Sequence, residues 1–272
     1  MRLRLLRDVF VIEAKRTMSY RADFWISVVG GLIAGIAVPT FMWSWVFQWE
    51  AAEGGTIGGR TLGQMVAYYI ACALAAKVVR GADLPMTIAT DIYQGGLTRY
   101  LLFPIRYAPF KYAEQAGAMV PNLLQLTLFG SLFLLVLDLP DGIRVTPATV
   151  AMAIGMLWVG NLLYFLMAYP LQLVSFWADN VWSLLVMLRF VTSLLGGAML
   201  PLELFPSAWQ TLLPYTPFPV LFYLPVQTLL GQVETAAWLE GMSVGLAWCL
   251  AIIAVTSGIW RRGTLQYTGV GI

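Results

Sequence analysis

The chain has 272 residues, 60% hydrophobic and 11% charged, with a formal net charge of +2 and a mean hydropathy of +0.76. A soluble domain of this length carries roughly a quarter charged residues, which argues against a water-soluble enzyme built around a buried core. Histidine is absent, which removes the commonest general base and metal ligand; Cys72 and Cys249 lie inside apolar runs and read as packing residues.

Residues 3–21 are too charged to cross a bilayer. On a helix, Leu5, Leu6, Val9, Phe10 and Ile12 share one side, with Arg4, Arg7, Asp8 and Lys15 on the other. This pattern predicts an interfacial amphipathic helix over 1–22, drawn to anionic lipid. The apolar run that follows is too long for the core of a cleaved signal peptide, so a retained span is expected.

Long uncharged runs lie between Asp23 and Glu50, Arg60 and Lys77, Glu114 and Asp138, Arg144 and Asp179, and Glu240 and Arg261. A spanning helix needs about 20 mostly apolar residues. The predicted spans are 24–48, 61–79, 114–137, 148–174, 182–200 and 238–260. Segment 204–233 is uncharged but holds Pro206, Pro214, Pro217, Pro219 and Pro225. Proline breaks the helical hydrogen-bond ladder, so two short half-helices that dip in from the outer face and return are expected there. With six spans and both termini inside, thirteen of the sixteen basic residues fall on one side, leaving Arg60 and Arg144 in opposite loops and Arg189 within a span. That asymmetry makes the basic side cytoplasmic. Trp43, Trp45, Trp49, Trp158, Trp209 and Trp238 suit interfacial belts.

The longest loop, between the second and third spans, reads GADLPMTIATDIYQGGLTRYLLFPIRYAPFKYAEQ. Asp83 can cap a helix of about ten residues, with Pro85 in its first turn and Gly95 just past its end. Leu84, Ile88 and Ile92 form an apolar stripe, while Asp91 and Tyr93 lie away from it. Such a helix presses either on a protein partner or on lipid headgroups.

Inside the spans, Gly30, Gly31 and Gly35, Gly196 and Gly197, and Ala71, Ala73, Ala75 and Ala76 allow close helix approach. Arg189 either lines a pathway or gate, or snorkels to the interface or pairs with Asp179. Asn122, Gln125 and Asn161 either bridge helices or meet cargo. Glu203 opens the proline-rich segment as a solvated acid or a gate. An apolar, aromatic cavity is conceivable from Phe41, Trp45, Tyr68, Tyr69, Phe190 and Phe222, suited to hydrophobic or amphipathic cargo. There is no G-x-x-x-x-G-K-[ST] phosphate loop; any ATP dependence must be lent by a partner. Ser175 and Ser193 lack an evident base, and no clustered carboxylates occur in the spans, which argues against an intramembrane enzyme. A secondary transporter or channel working without an ATPase is the alternative, although no inverted repeat is evident.

The run IYQGGLTRYLLFPIRY resembles the G-x-L-x-x-x-L-x-x-P signature of ABC-2-type exporter permeases, and most of all their viologen-exporter-like branch. GGTIGGRTLGQMVAYYI, the proline-rich LLGGAMLPLELFPSAWQTLLPYTPFPVLFYLPVQTLLG and the ending WRRGTLQYTGVGI, similar to a W-x-x-G-x-x-x-Y tail, fit the same branch. The resemblance implies a non-enzymatic permease in a bacterial plasma (inner) membrane. It would pair with a second permease, identical or related, and bind two copies of a separate ATPase that hold ATP and Mg; this chain would carry no cofactor or metal, and nucleic acid is not an expected partner. It further implies a coupling helix near 83–94 that fits a cleft in the ATPase, through Asp83, Leu84, Thr87, Ile88, Asp91, Ile92, Tyr93, Gly95 and Gly96. The pathway candidates are Phe41, Trp45, Tyr69, Asn122, Gln125, Arg189, Phe190 and Phe222. The expected fold is an all-α integral membrane protein of one domain: interfacial helix 1–22, five spans with the coupling helix in 23–200, a re-entrant extracellular hairpin in 201–235, the last span in 236–260 and a cytoplasmic tail in 261–272.

Overall fold

The computed structural model describes residues 2–19, 30, 37–49, 55–81, 86–136 and 140–269. Among them the chain is helical, and the only β-type pairing is an isolated bridge between Ile57 and Arg60. Local chemistry sets the helix starts. Helix α1 covers Arg2–Ser19, and residues 37–49 form α2. Helix α3, Leu62–Arg80, opens on a reciprocal cap between Thr61 and Gln64. Two short helices follow, α4 (Thr87–Tyr93) and α5 (Leu97–Leu101). Helix α6, Tyr107–Val136, is 30 residues long. Helix α7, Pro147–Leu173, starts with Thr146 and Thr149 capping each other and proline in the first turn, where a missing N–H costs nothing. Helices α8 (Trp182–Leu195), α9 (Ser207–Leu212), α10 (Tyr223–Leu229) and α11 (Thr235–Gln266) complete the order.

Helices α3, α7 with its short extension to Phe176, and α11 are long and apolar enough to cross a membrane. The second and fourth predicted spans match α3 and α7 closely. Three boundaries differ. Helix α6 begins seven residues before the predicted third span, because Tyr107 and Lys111 find buried partners that let its polar first turns fold. Helix α11 runs on through Arg261 and Arg262, which the sequence placed in a tail. Helix α8 has 14 residues, about 21 Å at 1.5 Å per residue, and stops at Gly196, where a side chain would collide with the carbonyls of Thr192 and Phe218. The first half of the predicted first span lies outside the described residues apart from Gly30.

Helix α7 is the axis of the bundle; α3, α6, α8, α10 and α11 all pack on it. Met156, Leu157, Asn161, Leu163 and Leu173 on α7 are fully buried. Lipid tails are as apolar as leucine, so such helices are held by close packing and internal hydrogen bonds rather than by expulsion from water. Asn161 shows the second device: its amide donates to the carbonyls of Val78 and Val79, each at 3.1 Å, at the end of α3. Asn122 likewise donates to the Lys77 carbonyl at 3.1 Å. Both bridge helices, one of the two roles open from the sequence.

The first device is most developed on α11. Gly241 and Gly245 are buried; a Cβ on them would lie 2.6 Å from Leu224 and 2.9 Å from Val220. This small-xxx-small pair lets α11 approach the 217–229 segment, and it was missed in the sequence among 25 glycines. Replacing Gly245 with isoleucine is expected to cost about 1–3 kcal/mol through overpacking, read as a lower unfolding temperature in detergent.

Helix α1 does not lie free. Leu5, Leu6, Val9, Phe10, Glu13, Ala14 and Thr17 form its half-buried stripe, and it packs along α6. A Cβ at Gly117 of α6 would sit 2.4 Å from the Phe10 carbonyl, so the two backbones touch. Ile12, assigned to the apolar side, is 64% exposed and points away from that seam.

Candidate functional site

The loop joining α3 to α6 carries α4 and α5, and almost every element near it holds it in place. Asp83 and Leu84 lie outside the described residues. Helix α4 begins at Thr87 without a side-chain cap of its own. Its first N–H groups, at Ile88 and Ala89, donate instead to Oε1 of Gln172 on α7, at 3.2 and 3.4 Å. Ile88, Ala89 and Ile92 are buried against α7 and its extension. The apolar stripe therefore faces the chain's own bundle. Thr87 and Gln94 are exposed, and Thr90 and Tyr93 are half-buried, with their hydroxyls 3.5 Å apart.

On the opposite side of α4, Asp91 ties the loop to α6. Its carboxylate accepts from the Tyr107 hydroxyl at 2.8 Å and pairs with Lys111 Nζ at 2.9 Å, both side chains largely buried, and with Arg99 at 3.6 Å. Lys111 also reaches Glu114 at 3.2 Å and sits 4.6 Å from the Tyr100 ring. Burial opposes the Lys111 charge, but the Asp91 hydrogen bond and the Glu114 and Asp91 charges outweigh it and hold its pKa above the usual lysine value. Burial, reinforced by the Asp91 charge, pushes the Tyr107 hydroxyl up, so it stays a donor.

Gly95 closes α4 with φ of +75°, a conformation that favours glycine. Gly96 packs on Asp91, whose Oδ1 would lie 3.3 Å from an added Cβ. The chain end completes the fastening. The Tyr267 hydroxyl donates to the Gly95 carbonyl at 2.7 Å and accepts from the Thr98 N–H at 3.0 Å. Trp260, Gly263 and Tyr267 converge on Phe176: the two rings lie edge-on to it at 5.9 and 6.2 Å, and a Cβ on Gly263 would lie 2.2 Å from it. The W-x-x-G-x-x-x-Y pattern thus has a physical meaning. It is a helix face that clasps the end of α7 and pins the α4–α5 turn. Tyr267→Phe is expected to leave the Gly95 carbonyl and the Thr98 N–H without that partner, costing about 1–3 kcal/mol locally; faster amide exchange at residues 95–98 is the readout.

Beside α4 a charged cleft of about 390 Å³ runs between Glu13 and Arg16 of α1, Thr87 and Asp91 of α4, and Lys111 of α6.

At the far end of α3, Arg60 is buried and pairs with Glu203 at 2.6 Å. The same Glu203 oxygen accepts from the Tyr223 hydroxyl at 2.9 Å and the Gln227 amide at 3.0 Å. Arg60 also donates to Gln232 at 3.3 Å and lies 4.8 Å from the Tyr68 ring. Glu203 is thus more than a solvated acid, one of the two roles open from the sequence; its charge is matched by a basic residue expected in an outer loop.

The pathway candidates do not form one lining. Phe41, Trp45 and Phe190 are largely exposed, as is Arg189. Tyr69 is buried and donates to the Met199 carbonyl at 2.9 Å. Phe222 is fully buried, with the Arg80 guanidinium 5.0 Å from its ring; Arg80 also donates to Ser193. Gln125 is buried. None of the eight lines the apolar cavity of about 220 Å³ between α3, α6 and α7.

These features define a multi-pass helical membrane protein with a loop helix fastened to its bundle. The model of the ABC-2 family transporter protein family matches residues 33–271. The chain belongs to that family and is a membrane permease component of an ABC transporter, a membership that implies an ABC ATPase partner. No curated protein and no solved structure matches it.

Proposed function

We propose that this chain is the membrane half of an ATP-driven exporter in the viologen-exporter-like branch, moving a hydrophobic or amphipathic substrate out of the cell. In this reading two permease chains pair, identical or related, and two ATPase subunits bind ATP and Mg beneath them. Six spans cross the bacterial plasma membrane with both termini cytoplasmic. Segment 201–235 forms a re-entrant extracellular hairpin: Leu230 accepts from the Arg144 N–H at 3.1 Å near the start of α7, whereas Val220 lies beside Gly160 halfway along it.

The observation that carries the reading is the fastening of α4. Gln172 holds its start, Asp91 its middle and Tyr267 its end. A push on this seven-residue helix passes through those three fastenings to α6, α7 and the end of α11 together. The stripe of Ile88 and Ile92 is committed to that fastening, so contact with the ATPase falls to Thr87, Tyr93, Gln94 and the neighbouring charged cleft. The ATPase does the chemistry, and this chain transmits force and shapes the route.

The test is disulfide or photo-crosslinking from Thr87→Cys and Gln94→Cys in the co-purified complex, together with ATP-driven transport by Tyr93→Ala. Cross-links to the ATPase, and about tenfold lower transport with assembly intact, are expected. Cross-links to phospholipid alone, or transport by this chain with no ATPase present, would sink the reading.

A further inference from the structure

A second groove lies on the α4 side of the bundle and adjoins the charged cleft, with which it shares Tyr100 and Phe165. Helices α6 and α11 each pack on α7, and between them runs a cleft of about 670 Å³. Its floor is aromatic: Trp260 stacks on Tyr107 at 5.5 Å and 15°, and on Tyr169 at 6.4 Å. Arg106 and Arg261 stand at the groove from either side. Both are exposed, and neither forms an ion pair among the described residues. Deeper in, Thr256 is 94% buried, and its hydroxyl has no hydrogen-bond partner among the described residues; the same holds for the hydroxyl of Tyr112. A buried hydroxyl left unpaired costs about 1–3 kcal/mol, and the Thr256 and Tyr112 side chains both border the groove.

The spacing of these groups along the helices has a chemical reading. Thr256 lies five residues before Arg261 on α11, about 7.5 Å along the axis, and Tyr112 lies six residues after Arg106 at the α6 end, about 9 Å. Cations at the rim, hydroxyl donors one step in and an apolar floor match a molecule with a phosphate, then ester carbonyls, then acyl chains. We infer that this groove is a binding site for one anionic phospholipid of the leaflet that meets the α4 end. Arg106 and Arg261 hold its phosphate by charge-assisted hydrogen bonds, Thr256 and Tyr112 donate to its ester carbonyls, and an acyl chain lies on Phe165 and Leu166. Bound there, the lipid bridges α6 to α11, two of the helices to which α4 is fastened.

The test uses the full-length chain in nanodiscs with phosphatidylglycerol or phosphatidylcholine bearing a photoreactive acyl chain, with labelled peptides mapped by mass spectrometry. Expected is labelling concentrated in residues 162–169 and 253–260, at least threefold stronger for phosphatidylglycerol. That preference falls to near unity in Arg106→Gln/Arg261→Gln, whose changes lie at exposed positions and leave the helices intact by circular dichroism. Thr256→Val lowers labelling by either lipid while sparing the headgroup preference. Equal labelling by both lipids, labels spread evenly over the helices, or a preference unchanged in the double arginine variant would overturn the assignment. Displacement of both lipids by a lipophilic cation at equal potency would overturn it too, marking a cargo groove instead.

Discussion

Arg60→Ala is expected to destabilise the protein by about 3 kcal/mol, toward the lower end for a buried ion pair that loses one partner, because Glu203 keeps a little access to water. The substitution removes the 2.6 Å pair and the contact to Gln232, leaving the Glu203 carboxylate among Tyr223 and Gln227 without a counter-charge. The cost arises from the stranded charge rather than from a lost attraction. Arg60→Met/Glu203→Gln should therefore recover a large part of it, with a coupling of about 1–3 kcal/mol between the sites. Thermal unfolding of the purified protein supplies the numbers. Cysteine accessibility at exposed Trp209→Cys should rise in the single variant if this contact anchors segment 201–232. Equal unfolding temperatures for wild type and Arg60→Ala would show that the pair anchors nothing.

The second large effect belongs to Lys111. Lys111→Met strands Asp91 on α4 with only the more distant Arg99 to neutralise it, a loss of about 3–5 kcal/mol for a buried pair broken on one side. Because this pair joins α4 to α6, ATP-driven transport is expected to fall more than tenfold while the ATPase still binds. Asp91→Asn should lose less, since the amide oxygen can still accept from the Tyr107 hydroxyl. The pH dependence has a definite sign. The folded pKa of Lys111 is raised, so its stabilisation is fully present below the unfolded lysine value of about 10.4 and drains away as pH climbs through the higher folded value. Unfolding free energy should thus fall more steeply with rising alkalinity in the wild type than in Lys111→Met. Parallel curves would remove the pair from the account.

The sequence announced the long helices because charge is so costly in lipid that runs free of it mark spans. It also placed a short helix between the second and third spans. The direction of its stripe was not legible. Spacing puts Ile88 and Ile92 on one face but cannot say whether that face meets a partner or α7, since the answer depends on Gln172, 84 residues away. The pairs Asp91–Lys111 and Arg60–Glu203 join loops brought together only by the bundle; along the chain, Arg60 was merely an exception to the charge count and Glu203 a lone acid. Aromatic residues named for the pathway could not be sorted by type, because a phenylalanine buried in a seam and one facing lipid read alike. Tyr69 and Phe222 proved to be the former, Phe41 and Phe190 exposed.

Cys72 and Cys249 are both free and buried. The native chain therefore offers a membrane-impermeant thiol reagent almost nothing to attack. Single cysteines placed in the loops can report which compartment each one faces, without first engineering a thiol-free background.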